Sequence, residues 1–172
     1  MRKAIAVILT IVLSLCIFAG CGPKKLLAEE DFNIYRDGQL ELDASDIKGS
    51  IRFDSSMETF RGLKKGDSIT KVKDLYGEES IVVLGEDNTI KEITVNEYTD
   101  IVNSHELTLT FYRMYYDNKV YTRKESYSLP AGAQYSCKLI EIIVKDYSVD
   151  DIYIGYGNYT MTEEEKNKYN VE

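Results

Sequence analysis

The chain has 172 residues, 29 of them acidic against 21 basic, and a formal net charge of −8. An acidic surface lacks the basic stripe with which proteins grip phosphate backbones, so no nucleic acid is expected among its partners. One histidine and three cysteines supply little material for a multi-ligand metal centre or a disulfide scaffold.

The chain opens on its only long apolar run. Arg2 and Lys3 precede Ala4 to Phe18, broken only by Thr10 and Ser14, and Ala19 and Gly20 are small residues at a cleavage position. Cys21 follows directly. This order resembles the bacterial lipoprotein signal, in which the cysteine sulfur takes a diacylglyceryl group before cleavage; Phe18 stands where leucine is usual. The resemblance implies a lipoprotein signal peptide over residues 1–20 and lipidation of Cys21. The domain would then be held on the extracytoplasmic face of the cell membrane by acyl groups. An uncleaved anchor needs about 17–25 apolar residues, which the run only just reaches, and plain secretion also fits the charged and apolar regions.

Removing the 20 residues before Cys21 leaves 152, and losing Arg2 and Lys3 moves the charge from −8 to −10. Anionic head groups would repel such a domain, so attachment falls to the acyl chains, each buried CH₂ contributing about 0.8 kcal/mol. Cys16 would leave with the signal, which leaves Cys137 without an intrachain partner. The fold must be held by its core.

Residues 21–30 read as a short lipid-anchored tether, residues 31–160 as a single domain, and residues 161–172 as a polar C-terminal helix or tail. Asp31 to Asp43 carries alternating Phe32, Ile34, Leu40 and Leu42 around Asp37-Gly38, a type I′ hairpin signal. Ser50 to Asp54 is a short strand that Asp54-Ser55-Ser56 breaks. After Gly66 the spacing of Ile69, Val72, Leu75 and Tyr76 predicts a helix, capped by Asp67 or Ser68 and closed by Gly77 in the left-handed conformation. Ile81–Leu84 and Ile90–Val95 read as strands around Gly85 to Asn88. Leu107, Leu109 and Phe111 alternate with polar neighbours, and Asp117-Asn118-Lys119 turns the chain into a strand over Val120-Tyr121-Thr122-Arg123. Cys137 to Lys145 and the stretch around Ile152, Ile154 and Tyr156 are further strands. Asn96 to Ser104 fits either a loop or a short helix. Thr162 to Glu165 is a capping box opening a polar helix. The predicted class is α+β, a helix packed on one face of an antiparallel β-sheet with the opposite face free.

The chemistry-bearing residues are few. His105 has no second histidine at a ligand spacing, and it reads as a loop residue before a strand. Gly62, Gly66 and Gly77 are too scattered for a phosphate loop. Asp150-Asp151 and Glu163 to Glu165 read as turn and solubilising residues, Ser55-Ser56 lacks a neighbouring base, and Cys137 beside Leu139 and Ile140 reads as an inert buried thiol. No catalytic residue, metal or cofactor is expected. An enzyme would require Asp, Glu or His105 side chains to converge in a cleft.

Tyrosine is the unusual feature: 14 are present with no tryptophan, and ten lie between Tyr112 and Tyr159. Sheet-stabilising cross-strand pairs are one explanation. The alternative is a tyrosine-rich binding surface, for which Tyr112, Tyr116, Tyr121, Tyr153 and Tyr156 are the candidates. Tyr115 and Tyr116 must point to opposite faces.

The run Arg61-Gly62-Leu63-Lys64-Lys65-Gly66-Asp67-Ser68-Ile69-Thr70-Lys71-Val72-Lys73-Asp74-Leu75-Tyr76-Gly77 resembles a motif of the β-lactamase-inhibitory-protein (BLIP) and SmpA/OmlA-like modules, and of lipoproteins of Gram-positive bacteria. The Gly-x-Pro ending is absent here, Glu78-Glu79 following Gly77, and neither a tandem repeat nor paired cysteines are present. The resemblance implies a helical segment on an antiparallel sheet and non-catalytic binding of a protein or peptide. Binding of a small ligand or an envelope polymer, with tyrosines as stacking platforms, is the other expectation.

Overall fold

Alternating apolar and polar residues build most of the chain into strands. The computed structural model describes residues 26–85, 88–102, 105–168 and 170–171, so the signal segment and Cys21 lie outside the described residues. The strands are β1 (Ile34–Arg36), β2 (Gln39–Leu42), β3 (Gly49–Arg52), β4 (Met57–Thr59), β5 (Ser80–Leu84), β6 (Thr89–Thr94), β7 (Glu106–Tyr116), β8 (Lys119–Tyr121), β9 (Gln134–Lys145), β10 (Ser148–Thr160) and β11 (Asn170–Val171). The helices are α1 (Ile69–Tyr76), α2 (Val95–Ile101), the single turn α3 (Arg123–Ser126) and α4 (Glu163–Lys168). The class is α+β, mostly strands with few helices.

Three sheets form. The largest is antiparallel with order β3-β10-β9-β7-β8, flanked by β2-β1-β4 and by β11-β6-β5. The tight turns of these sheets are set by residues that tolerate positive φ. Asp37 (50°) and Gly38 (78°) join β1 to β2, Asp117 (49°) and Asn118 (58°) join β7 to β8, and Asp146 (47°) and Tyr147 (63°) join β9 to β10.

Register assigns the two faces of the large sheet. Leu109 pairs with Ile142 and Phe111 with Ile140, and these pair with Ile152 and Ile154 of β10. All six are at most 1% exposed, and they form the inner face. Helix α1 covers it with Val72 and Tyr76, whose ring meets Phe111 at 5.3 Å between centroids. Burying each such side chain contributes about 1.5–3 kcal/mol. The predicted hairpin, the Ser50 strand, α1 with its Ser68 cap and the Thr162–Glu165 box are all present.

Three expectations are corrected. Gly77 is right-handed (φ −55°, ψ −35°) instead of left-handed. Glycine is required there by close approach, because a Cβ would lie 2.4 Å from the Lys73 carbonyl oxygen and 2.6 Å from the Asn96 side chain. Thr122 and Arg123 leave the strand predicted for them: β8 ends at Tyr121, Thr122 accepts from the Glu125 N–H at 3.0 Å, and Glu125 accepts in return from the Thr122 N–H at 2.8 Å. This reciprocal cap starts α3. The tether expected through Glu30 is docked from Leu27 onward, since Leu27 and Asp31 are each 2% exposed and the Leu27 carbonyl accepts from Arg113 at 2.6 Å. In the C-terminal segment the expected polar helix is α4, and β11 after it pairs in parallel with β6.

Candidate functional site

The outer face of the large sheet begins where the inner-face alternation leaves off. Along β9, Ile140 and Ile142 are fully buried while Leu139, Glu141 and Ile143 between and beside them are half-exposed. The same alternation puts Thr108, Thr110 and Tyr112 of β7 and Tyr153 of β10 on this face. Tyr112 stands opposite Leu139 and Tyr153 opposite Glu141.

One end of this face is covered. Met114, Tyr135 and Cys137 pack there under Leu129, Ala133 and Met161, forming a second, smaller core. Tyr116 and Tyr121 are half-buried against it and meet edge-on at 6.4 Å. Tyr156 falls on the inner face, half-buried against the main core, with its hydroxyl donating to Asn158 at 3.2 Å. Of the five candidate tyrosines the outer face therefore carries Tyr112, Tyr116, Tyr121 and Tyr153, and only Tyr112 and Tyr153 flank its uncovered half. Tyr115 and Tyr116 point oppositely: the Tyr115 hydroxyl donates to Glu29, on the inner side.

Where the covered and uncovered halves meet lies a cleft of about 210 Å³, lined by Tyr112, Arg123, Tyr135, Cys137, Leu139, Tyr159 and Glu165. Its shape follows from β10. Gly155 and Gly157 share the outer face, and the Tyr159 ring folds back over Gly157, so close that a Cβ there would meet its hydroxyl at 2.8 Å. Tyr159 also stacks on Tyr135 across the strands, 5.6 Å between centroids and 22° between planes. The first residue of α3, Arg123, spreads its guanidinium over Tyr112 (5.5 Å) and Tyr127 (4.9 Å), and its guanidinium engages the Tyr135 hydroxyl. Burial pushes the Tyr112 and Tyr135 phenols upward, so both remain neutral donors at neutral pH. Burial likewise pushes the Cys137 thiol up to about 11, against a smaller opposing pull from Arg123.

Neither Arg123 nor the glycine pair figures among the candidates from sequence. The signals that identify them are Thr122-x-x-Glu125, a capping box, and glycines two apart in a strand, which open one face.

The remaining chemistry-bearing residues are dispersed. His105 is exposed in the loop before β7 and meets the Tyr147 ring edge-on at 4.9 Å. Asp150 is exposed and pairs with Lys145 at 3.2 Å, but Asp151 is a correction to the solubilising role. It is 3% exposed and accepts from Arg52 Nε at 2.6 Å, Lys65 Nζ at 3.2 Å and the Tyr153 hydroxyl at 3.1 Å. A one-residue bulge between Val149 and Asp151 shifts the register and puts these two on opposite faces. No group of three or more metal-ligating side chains occurs among the described residues, nor is any helix among them long and apolar enough to cross a membrane.

The Arg61–Gly77 run is a structural connector. Gly62 (79°) and Gly66 (87°) turn the chain, Leu63 is fully buried, and Asp67 accepts from the Lys64 N–H at 2.7 Å. The Gly66 N–H and Asp67 carbonyl bond both ways with Val149, at 2.8 and 2.7 Å, which fastens the start of α1 to β10. No protein-family model, curated protein or solved structure matches the chain.

Proposed function

We propose that this chain is a membrane-anchored extracytoplasmic lipoprotein, acylated at Cys21, whose BLIP-like α+β domain is a non-enzymatic module that binds a protein or peptide on the outer sheet face. The observation that carries the reading is the contrast along β9, where fully buried Ile140 and Ile142 alternate with half-exposed Leu139, Glu141 and Ile143. A central strand with one open face offers a flat, mixed polar and apolar platform, and Tyr112 and Tyr153 at its margins add large contact area at low entropy cost. The docked Leu27 leaves only residues 22–26 between the anchor and the fold, about 17 Å when extended. A partner would be met close to the bilayer.

The test is site-specific photocrosslinking in cells. A crosslinker at Tyr153 or Thr108 should give a discrete adduct, while one at Asp37, on the β1–β2 hairpin tip, should not. Equal labelling at all three positions would refute the surface assignment. The anchor is tested separately: Cys21→Ala should retain the precursor mass, with the apolar segment uncleaved, and should lose incorporation of labelled fatty acid.

The second reading, a binder of a small ligand or envelope polymer, is favoured by the tyrosine-lined cleft at Arg123.

A further inference from the structure

Five arginines lie among the described residues, and four are matched to carboxylates. Arg36 pairs with Glu41 and Asp54, Arg52 with Asp151, Arg61 with Asp31 and Glu79, and Arg113 with Glu29. Arg123 is the exception: among the described residues no carboxylate lies within the 4.0 Å of an ion pair. Ring faces of Tyr112 and Tyr127 and the Tyr135 hydroxyl are what surround it. Cation–π contacts offset part of the desolvation of a half-buried guanidinium, but they leave its N–H donors without an anionic acceptor.

We propose that the cleft at Arg123 is a carboxylate-binding site for a singly charged acid on a small apolar or aromatic body. The Arg123 fork takes the carboxylate, and Tyr112, Tyr135, Leu139 and Tyr159 wall the body. The proposal rests on reading the outer face as a binding surface and specifies the chemistry recognised at its end.

Three observations select this ligand. The guanidinium fork matches the two oxygens of a carboxylate in its plane. The cleft, about 210 Å³, holds one amino-acid-sized group, well below the volume a longer ligand fills. Glu165 lines the same cleft with one oxygen fixed by the Thr162 N–H at 3.0 Å, and its charge disfavours a second negative charge on the ligand. A phosphate monoester or sulfate is thereby selected against. The carboxylate can belong to a free acylated amino acid or to the C-terminus of a peptide.

The experiment titrates the full-length chain with N-acetyl-phenylalanine, with its amide, with a tetrapeptide ending in phenylalanine in free-acid and amidated forms, and with inorganic phosphate. Binding is read by calorimetry and by the Arg123 Nε–H resonance. An acid should bind and shift that resonance, and its amide should bind about tenfold or more weaker. Arg123→Gln should lose binding by a similar factor, and Arg123→Lys should lose part of it. Tyr159→Ala, at a residue 48% exposed, removes a wall without threatening the fold and should weaken the aromatic acid severalfold. Tighter binding of the free-acid peptide than of the single residue assigns a peptide terminus, and the reverse assigns a free acid; either supports the site. Equal binding of acid and amide, preferential binding of phosphate, no binding of any probe, or unchanged binding by Arg123→Gln overturns it. If probes fail while Tyr153 still crosslinks, the carboxylate site falls and the surface reading stands. If Tyr153 gives no adduct but the acids bind, the converse holds.

Discussion

Arg61 grips Asp31 with two parallel hydrogen bonds, Nε to Oδ1 at 2.6 Å and Nη2 to Oδ2 at 2.9 Å. The remaining arm, Nη1, donates to the Leu75 carbonyl at 2.6 Å and faces Glu79 at 2.8 Å, and the guanidinium lies 4.8 Å from the Tyr76 ring centroid. One side chain thus joins the N-terminal segment, the C-terminal turn of α1 and the start of β5. The two carboxylates are only 2% exposed, so removing the cation would strand both.

Arg61→Ala should therefore destabilise the fold by about 3–5 kcal/mol, the range for breaking a buried ion pair from one side. Arg61→Lys keeps the charge but loses the fork, and its loss should be intermediate. Urea unfolding midpoints measure both. A loss below about 1 kcal/mol for Arg61→Ala would show that the network is solvated and not structural.

Asp151 makes the stability depend on acid. Burial works to raise its carboxyl, but hydrogen bonds from Arg52, Lys65 and Tyr153 outweigh it and hold the group at about 2, against 3.8 for a free aspartate. The folded state therefore binds its proton less readily than the unfolded chain. The stabilisation is full above pH 3.8 and is lost as pH falls from there through about 2. Asp151→Asn should lower stability at neutral pH by roughly 1–3 kcal/mol and flatten the acid limb. Urea midpoints at about pH 6, 4 and 3 for the two chains check this, and parallel curves would exclude Asp151 as the acid-sensitive group.

Local rules made much of the fold legible. Asp37-Gly38 and Asp117-Asn118 announce their turns because few residues accept positive φ, and α1 shows in the spacing of Ile69, Val72, Leu75 and Tyr76. The candidate site was less so, because faces depend on register and cover depends on distant chain. Tyr153 and Tyr156 are three apart in one strand, which alone separates their faces, but nothing local says which face α1 will bury. Tyr116 and Tyr121 sit under Leu129 and Met161, a contact with no trace in the strand pattern. Arg123 was hidden for a different reason: it follows Val120-Tyr121-Thr122, a β-prone run, and only the Thr122–Glu125 cap breaks the strand.

The two crowded glycines should respond differently to alanine. At Gly157 the obstacle is the end of a side chain, the Tyr159 hydroxyl at 2.8 Å, and that ring is 48% exposed and able to swing away. Gly157→Ala should thus change stability by less than about 1 kcal/mol while breaking the Tyr135–Tyr159 stack. At Gly77 the nearest obstacle is the Lys73 carbonyl at 2.4 Å, in the backbone of α1. Gly77→Ala should cost about 1–3 kcal/mol. Thermal melts compare the two, and loss of the Tyr135–Tyr159 ring contacts by NMR identifies the first.

The Cys137 thiol reports on the same cleft from within. With its pKa near 11, only about one thiol in a thousand is ionised at pH 8, and the thiolate is the reactive form. Iodoacetamide should alkylate Cys137 in the folded chain far more slowly than in urea, at a measurable rate read by peptide mass over longer exposure. Arg123 is the charge that pulls this thiol downward, so Arg123→Gln should slow alkylation further although it opens space beside the sulfur. A carboxylate seated on Arg123 would neutralise the same pull and cover the same opening, and N-acetyl-phenylalanine should therefore protect Cys137 in the parent chain but not in Arg123→Gln. Faster alkylation in the variant would mean that access, and not the guanidinium charge, sets the reactivity of this thiol.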